Sequence, residues 1–302
     1  MMTRTEISRA AALFIMMASF AALPALGGEP RNPNEKEEVN PRLVMRTWGT
    51  LTGVQKSDHL RTWASLPPEK AEDYDLYNFV FNIVEDKGEN EAITTRGVAI
   101  ETLEKLLLTA KQASFRDLIK RLITLMEDSN QRKIIRRPVI RMLGRVLNRN
   151  DPQHTVHIVS VNRLAANAKE DAVIRADAIT SVGEIGRPED MEKLLDFIDD
   201  KSPDIRNAVF AILPTVIGSL QQEPTPAVIG KLKRLITDEA EDPLMRANVL
   251  NGLASFIRKQ LIAGRKPTIL STVVTEANKW IQTSTNKAML DAAVEAAGKM
   301  GQ

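Results

Sequence analysis

Residues 171–218, DAVIRADAITSVGEIGRPEDMEKLLDFIDDKSPDIRNAVFAILPTVIG, carry one pattern twice. An apolar residue followed by arginine, Ile174-Arg175 and then Ile205-Arg206, is succeeded three, four and seven places beyond the arginine by Ala178, Ile179 and Val182, and by Val209, Phe210 and Leu213. That spacing lines one apolar face of a helix. Between the copies stand a breaker at Gly186 and Pro188, a second amphipathic run from Met191 to Ile198, and a turn from Asp199 to Pro203. The unit is helix, turn, helix, turn.

Self-comparison extends the pattern in both directions. Arg96 is followed by Ala99, Ile100 and Leu103; Arg136 by Val139, Ile140 and Leu143; Arg246 by Val249, Leu250 and Leu253. A last copy places Leu290 at the arginine position, followed by Ala293, Val294 and Ala297. Anchors therefore recur every ~30–45 residues, the range of helical arrays. Eight places past the anchor the residue is small at Gly144, Gly183, Ala254 and Gly298, which predicts close helix approach, whereas Glu104 and Pro214 depart from the habit. Pro214 is expected to kink or end its helix.

A first helix is expected before each anchor, over Glu69–Val84, Ser114–Glu127, Pro152–Ala168, Pro188–Ile198, Pro226–Thr237 and Pro267–Ile281. Asp171 with Arg175, and Asp242 with Arg246, stand four apart and are expected to pair along their second helices. The anchors Arg96, Arg136, Arg175, Arg206 and Arg246 are read as structural. Abundant Ala, Leu and Ile with 4% aromatic residues favour an all-α chain.

The stretches SPDIRNAVFAIL (Ser202–Leu213) and VIRADAITSVGEIG (Val173–Gly186) resemble the HEAT repeat, particularly the short HEAT-like form also found in phycobilisome lyases. The resemblance covers about Glu69–Gln302 and is strongest in the third and fourth copies. It implies a right-handed α-solenoid of about six helix-turn-helix repeats whose second helices line a concave surface. Such solenoids serve mostly as binding scaffolds, so the resemblance implies little about chemistry.

Composition narrows the class further. The 302 residues are 43% hydrophobic and 26% charged, as in a chain with a sizeable core, and the formal net charge of +2 is too small for bulk attraction of a polyanion. The chain has no Cys, which excludes disulfides, thiolate metal sites and a cysteine nucleophile. Arg4 and Arg9 precede the apolar run Ala10–Leu23, followed by Pro24, Ala25, Leu26 and Gly27. This reads as a secretory signal over residues 1–27, cleaved near Gly27 or Gly28, with an apolar length short of a membrane span. The mature chain is expected to be exported, periplasmic or secreted, without a transmembrane span. Residues 28–40, rich in Pro, Asn and charge, read as a disordered linker. Residues 41–68, with Trp48 and Trp63, read as a segment capping the open end of the repeat domain at 69–302, or as an exposed aromatic binding patch.

One surface stands out. Arg137, Arg141, Arg145 and Arg149 recur every four residues along one helix, with Pro138 expected in its first turn, so the stripe is read from Arg137 onward and not from Lys133. Four like charges at that spacing repel and call for nearby acids. Glu127 and Asp128, or acids on neighbouring repeats such as Asp171, are the candidates, and the stripe is either an internally paired face or an anion-binding patch. Acid-rich turns at 190–204 and 238–242 read as helix caps rather than calcium loops. His154 and His157 form HxxH without an evident third ligand, and His59 lies in a polar turn with Ser57 and Asp58. No nucleophile elbow, zincin, phosphate-loop or dinucleotide motif is present. No catalytic residue, metal or cofactor is assigned. The sequence leads to an exported non-catalytic scaffold that binds a protein or other anionic macromolecule, not nucleic acid, through Arg137, Arg141, Arg145 and Arg149. The alternatives are a lyase- or hydrolase-like groove enzyme and an envelope protein assembling through its N-terminal segment.

Overall fold

The computed structural model describes residues 40–73, 75–86, 90–109, 116–147, 154–185, 187 and 190–301. The signal and nearly all of the linker expected from the sequence, like Arg149, lie outside these residues. The chain divides into two compact units at 44/45. In the first unit the described residues enter helix α1 (Pro41–Thr47), where the Asn40 carbonyl accepts from the Leu43 N–H at 3.0 Å and the Val44 N–H at 3.4 Å.

The second unit is an all-helical solenoid. After a 3-10 turn at Trp48–Thr50 it contains α2 (Gly53–Trp63), α3 (Pro68–Asp73), α4 (Leu76–Glu85), α5 (Ile93–Thr109), α6 (Arg116–Glu127), α7 (Lys133–Val146) and α8 (Thr155–Ala166). It continues through α9 (Ala172–Ile185), α10 (Met191–Leu195), α11 (Pro203–Ser219), α12 (Pro226–Thr237), α13 (Pro243–Ile262), α14 (Leu270–Thr283) and α15 (Lys287–Met300). From α4 onward the helices work in pairs, and each pair packs on the next. The second members, α5, α7, α9, α11, α13 and α15, form a tightly packed row, while the first members touch more sparsely.

Local chemistry sets the ends of these helices. Proline occupies the first turn of α11, α12 and α13, where its missing N–H costs nothing. Thr225, Asp242 and Asn286 cap α12, α13 and α15 by accepting from Val228, Met245 and Met289 N–H groups. Two interruptions were not expected. The region read as one helix from Glu69 is split into α3 and α4 by Asp75, whose φ of 54° lies in the left-handed region. Of the run read as Pro188–Ile198, the described residues form α-helix over Met191–Leu195.

The periodic positions make the core. Ala99, Leu103, Val139, Ile140, Leu143, Ala178, Ile179, Val209, Leu213, Val249 and Leu250 are fully buried. Each large aliphatic among them contributes about 2 kcal/mol of burial before entropy is counted. The last copy departs from its expected register. Val294 is 57% exposed, and the buried face of α15 is Met289, Ala292, Ala293 and Ala296, because no further helix pair among the described residues covers its outer side.

Glycines let the second helices approach closely. A Cβ on Gly144 of α7 would lie 2.7 Å from the Ser181 Cα of α9, and one on Gly183 would lie 2.6 Å from the Ile212 Cβ of α11. Pro214 does not end α11, which continues to Ser219; its Cα would stand 2.9 Å from a Cβ on Gly252 of α13. Gly298, with nothing within 4 Å of its missing Cβ, makes no such approach.

The anchor arginines reach backward within their own pair. Arg96 Nη2 donates to the Val84 carbonyl at 2.7 Å, Arg136 Nε to Met126 at 2.9 Å, Arg175 Nε to Ala165 at 3.0 Å, and Arg246 Nη2 to Ile236 at 3.1 Å. Each accepting carbonyl belongs to the final turn of the preceding first helix, where backbone oxygens lack intrahelical donors and the helix dipole favours a cation. Arg136 also grips Glu170, and Arg175 binds Asp200, both in the turn of the following pair. Arg206 differs: it donates to the Asp200 and Lys201 carbonyls, because short α10 ends before reaching it. The expected i,i+4 pairs do not form, since Asp242 is spent capping α13 and Asp171 pairs with Lys133.

Ahead of these pairs, Trp48 and Trp63 are buried at 8% and 2% exposure, stacked with ring centroids 5.7 Å apart and both edge-on to Phe79. They are therefore not an exposed aromatic patch. Trp48 Nε1 and the Lys56 ammonium both donate to Glu91, at 2.7 and 2.9 Å.

Candidate functional site

The basic stripe lies on α7, in the row of second helices. Helix α7 starts at Lys133, so Pro138 falls in its second turn rather than its first. This placement brings Lys133 into the helix and explains why it shares the surface with the arginines. The partners of these cations are acids of the neighbouring repeats, the second of the two sources the sequence offered; Asp171 was named there, and Asp177, Glu104 and Glu184 were not. Arg137 Nε donates to Asp177 Oδ2 at 2.6 Å, and Arg141 reaches Asp177 Oδ1 with Nη2 at 2.7 Å and Nε at 2.8 Å. Arg145 donates through Nε and Nη2 to both oxygens of Glu104, at 2.5 and 2.8 Å, and its Nη1 stands 3.7 Å from Glu184. Lys133 pairs with Asp171 at 2.5 Å. Glu127 pairs instead with Arg163, and Asp128 caps its own turn through the Asn130 N–H.

Two features distinguish this arrangement from ordinary surface pairing. Asp177 is buried, with 3% of its side chain exposed, so one desolvated carboxylate holds two guanidiniums. The arginines themselves remain half in water, at 42%, 49% and 41% side-chain exposure. Each commits its Nε to an acid, and Arg145 commits Nη2 as well. The hydrogen bond to Asp177 pushes the Arg137 guanidinium above its ordinary value despite desolvation, and that to Glu104 does the same for Arg145. Burial raises the Glu184 carboxyl above the usual carboxylate range, partly offset by Arg145. Lys133, Arg137, Arg141 and Arg145 thus face Asp171, Asp177, Glu104 and Glu184, a balanced set of charges.

No protein-family model matches the chain, and no curated protein does. Among solved structures, one of an engineered protein is similar at 13% identity over 86% of this chain and 68% of that chain, with a TM-score of 0.46. Another engineered protein is similar at 12% identity over 86% of this chain and 96% of that chain, with a TM-score of 0.30.

Other clusters resolve into structure. His154 and His157 are both buried with ring centroids 6.5 Å apart, and among the described residues no group of three or more metal-ligating side chains forms. Burial first, then His154 and Lys120, pushes His157 below its ordinary value. His59 stacks on Trp63. In the acidic turns, Asp190 binds Arg187 and Asn162, Asp196 binds Lys231, and Glu239 binds Lys279. Glu192 and Asp204 are the exceptions, with no side-chain hydrogen bond or ion pair among the described residues. Among the described residues no helix is long and apolar enough to cross a membrane.

Proposed function

We propose that this protein is an exported, non-catalytic scaffold of the right-handed HEAT-like kind. Its row of second helices captures an acidic segment of a partner protein through Arg137, Arg141 and Arg145, with Arg149 the next arginine in sequence at the same spacing. The observation that supports this reading is the arginine set itself: buried Asp177 and partly buried Glu104 orient guanidiniums whose side chains stay nearly half exposed. An incoming carboxylate would meet donors that have already lost much of their rotamer freedom, which lowers the entropic cost of binding. The balanced local charge favours discrete carboxylates over a polyanion, whose attraction needs a net field. Export rests on Arg4, Arg9 and the apolar run Ala10–Leu23.

The test is cross-linked capture from the native envelope or extracellular fraction by the full chain, comparing wild type with an Arg141→Ala/Arg145→Ala variant. This variant leaves Arg137 on Asp177. Loss of a captured acidic protein at unchanged helicity is the expected result, with Arg61→Ala as a control at an exposed arginine elsewhere. Unchanged capture by the double variant overturns the site assignment.

A further inference from the structure

A cavity of about 410 Å³ opens where the start of α10, the end of α11 and the start of α12 meet. Its floor is apolar: Met191, Leu220 and Val228 line it and are almost fully buried, with Pro224 beside them. Two carboxylates, Glu192 and Glu223, stand on its rim. Glu192 has no side-chain partner among the described residues, and Glu223 spends only Oε1, which accepts from the Thr268 N–H at 2.6 Å and hydroxyl at 2.5 Å. The loop that forms the wall is held from behind by the next helix pair. The Gln221 carbonyl accepts from Gln260 Nε2 at 3.1 Å and Arg265 Nη2 at 3.2 Å, and Thr225 caps α12. The pocket is therefore shaped before any ligand arrives.

We propose that this cavity is a docking pocket for a lysine or arginine side chain of a partner polypeptide. Its chemistry is that of an amphipathic cation. The methylene stem of such a side chain matches the Met191–Leu220–Val228 floor, while its charged head reaches rim carboxylates that no cation among the described residues neutralises. A carboxylate-bearing ligand would meet like charge, and a purely apolar one would leave Glu192 and Glu223 oxygens to be desolvated without compensation. The pocket stands apart from the arginine row and does not depend on its role.

The experiment uses the full chain with methyl-labelled methionine, the Met191 signal being assigned by its disappearance in Met191→Leu. The probes are acetylated, amidated Gly-Ser-Gly-X-Gly-Ser-Gly peptides in which X is lysine, norleucine (lysine without its amino group) or glutamate. The lysine peptide is expected to shift Met191 saturably and to bind about three- to thirtyfold more tightly than the norleucine peptide, as two partly exposed charge contacts allow. The Glu192→Gln/Glu223→Gln variant should bring the two peptides to equal affinity. Equal binding of lysine and norleucine peptides to wild type, lysine binding unaffected by the double variant, or an unmoved Met191 signal would each overturn the proposal. Both glutamates are exposed, and the norleucine comparison on wild type holds even if the variant is unstable.

Discussion

Replacing Asp177 with asparagine probes the joint between α7 and α9 with little change in shape. In the wild type its buried carboxylate accepts from Arg137 Nε at 2.6 Å and from Arg141 Nε at 2.8 Å. Asparagine keeps one acceptor oxygen but turns the other position into a donor that faces a guanidinium N–H. A charge-assisted hydrogen bond contributes about 1.5–3 kcal/mol, and two are compromised here. Both arginines, however, are nearly half exposed and regain water, which discounts the loss. The expected destabilisation is about 2 kcal/mol, read as a shift of the urea midpoint at constant slope. A double-mutant cycle with Arg137→Gln should return a coupling of about 1 kcal/mol. A destabilisation below about 0.5 kcal/mol with no coupling would refute the view that Asp177 holds these arginines, and with it the pre-organisation on which the capture site rests.

Gly144→Ala should cost about 1–3 kcal/mol by denaturant titration, since the new methyl would meet the Ser181 backbone at 2.7 Å, whereas Gly298→Ala in open space should stabilise by about 0.5–1 kcal/mol. Arg136→Gln should destabilise by about 2–4 kcal/mol at neutral pH, because it strips both the Met126 carbonyl and Glu170 of a 3%-exposed guanidinium. Arg136 holds Glu170 below its ordinary value, so this contribution is present above the usual carboxylate range and is lost as pH falls through the folded-state value. The gap between wild type and variant should therefore narrow in acid, and a gap independent of pH would contradict the Glu170 pairing. His157 is also depressed, but as a base buried neutral: unfolding takes up a proton below about pH 6.5. Stability should fall as pH drops from there, and His157→Gln should flatten that slope in urea titrations across pH 7 to 5.

The helical array was legible because its signal is local. Three apolar positions after each arginine repeat a helical face, and Val139, Ile140 and Leu143 or Val249, Leu250 and Leu253 are buried as that face requires. The partners of the arginine stripe were not legible by proximity, because they lie 36 to 41 residues away on flanking helices. Two signals for them were nevertheless present. Asp177 is an acid set between Ala176 and Ala178 on the repeat-facing side of α9, and Glu104 stands where most other copies carry Gly or Ala. Each departs from the repeat because it answers a charge on the neighbouring copy. The shortness of α10 and the break at Asp75 escaped for a different reason: both depend on turn geometry that an apolar period does not encode.

The two rows of helices are tied by different chemistry, and this bears on what a partner could do. First helices are held by arginines on their terminal carbonyls inside one pair, with side-chain ion pairs such as Arg121–Glu85 and Arg163–Glu127 reaching across pairs. Second helices are held across pairs, by glycine-permitted backbone approach below and by the charge ladder at the surface. Arg145 joins α5 to α7 through Glu104 and comes within 3.7 Å of Glu184 on α9, so three successive helices meet at one half-exposed guanidinium. An acidic segment that engages the arginine row would therefore add acceptors to the same charges that set the spacing of α5, α7 and α9. Because binding to the folded array alone stabilises it by mass action, capture at this surface and cohesion of the stack are linked in free energy. The strongest protection from unfolding on partner binding belongs at the α7–α9 joint, not along the first helices.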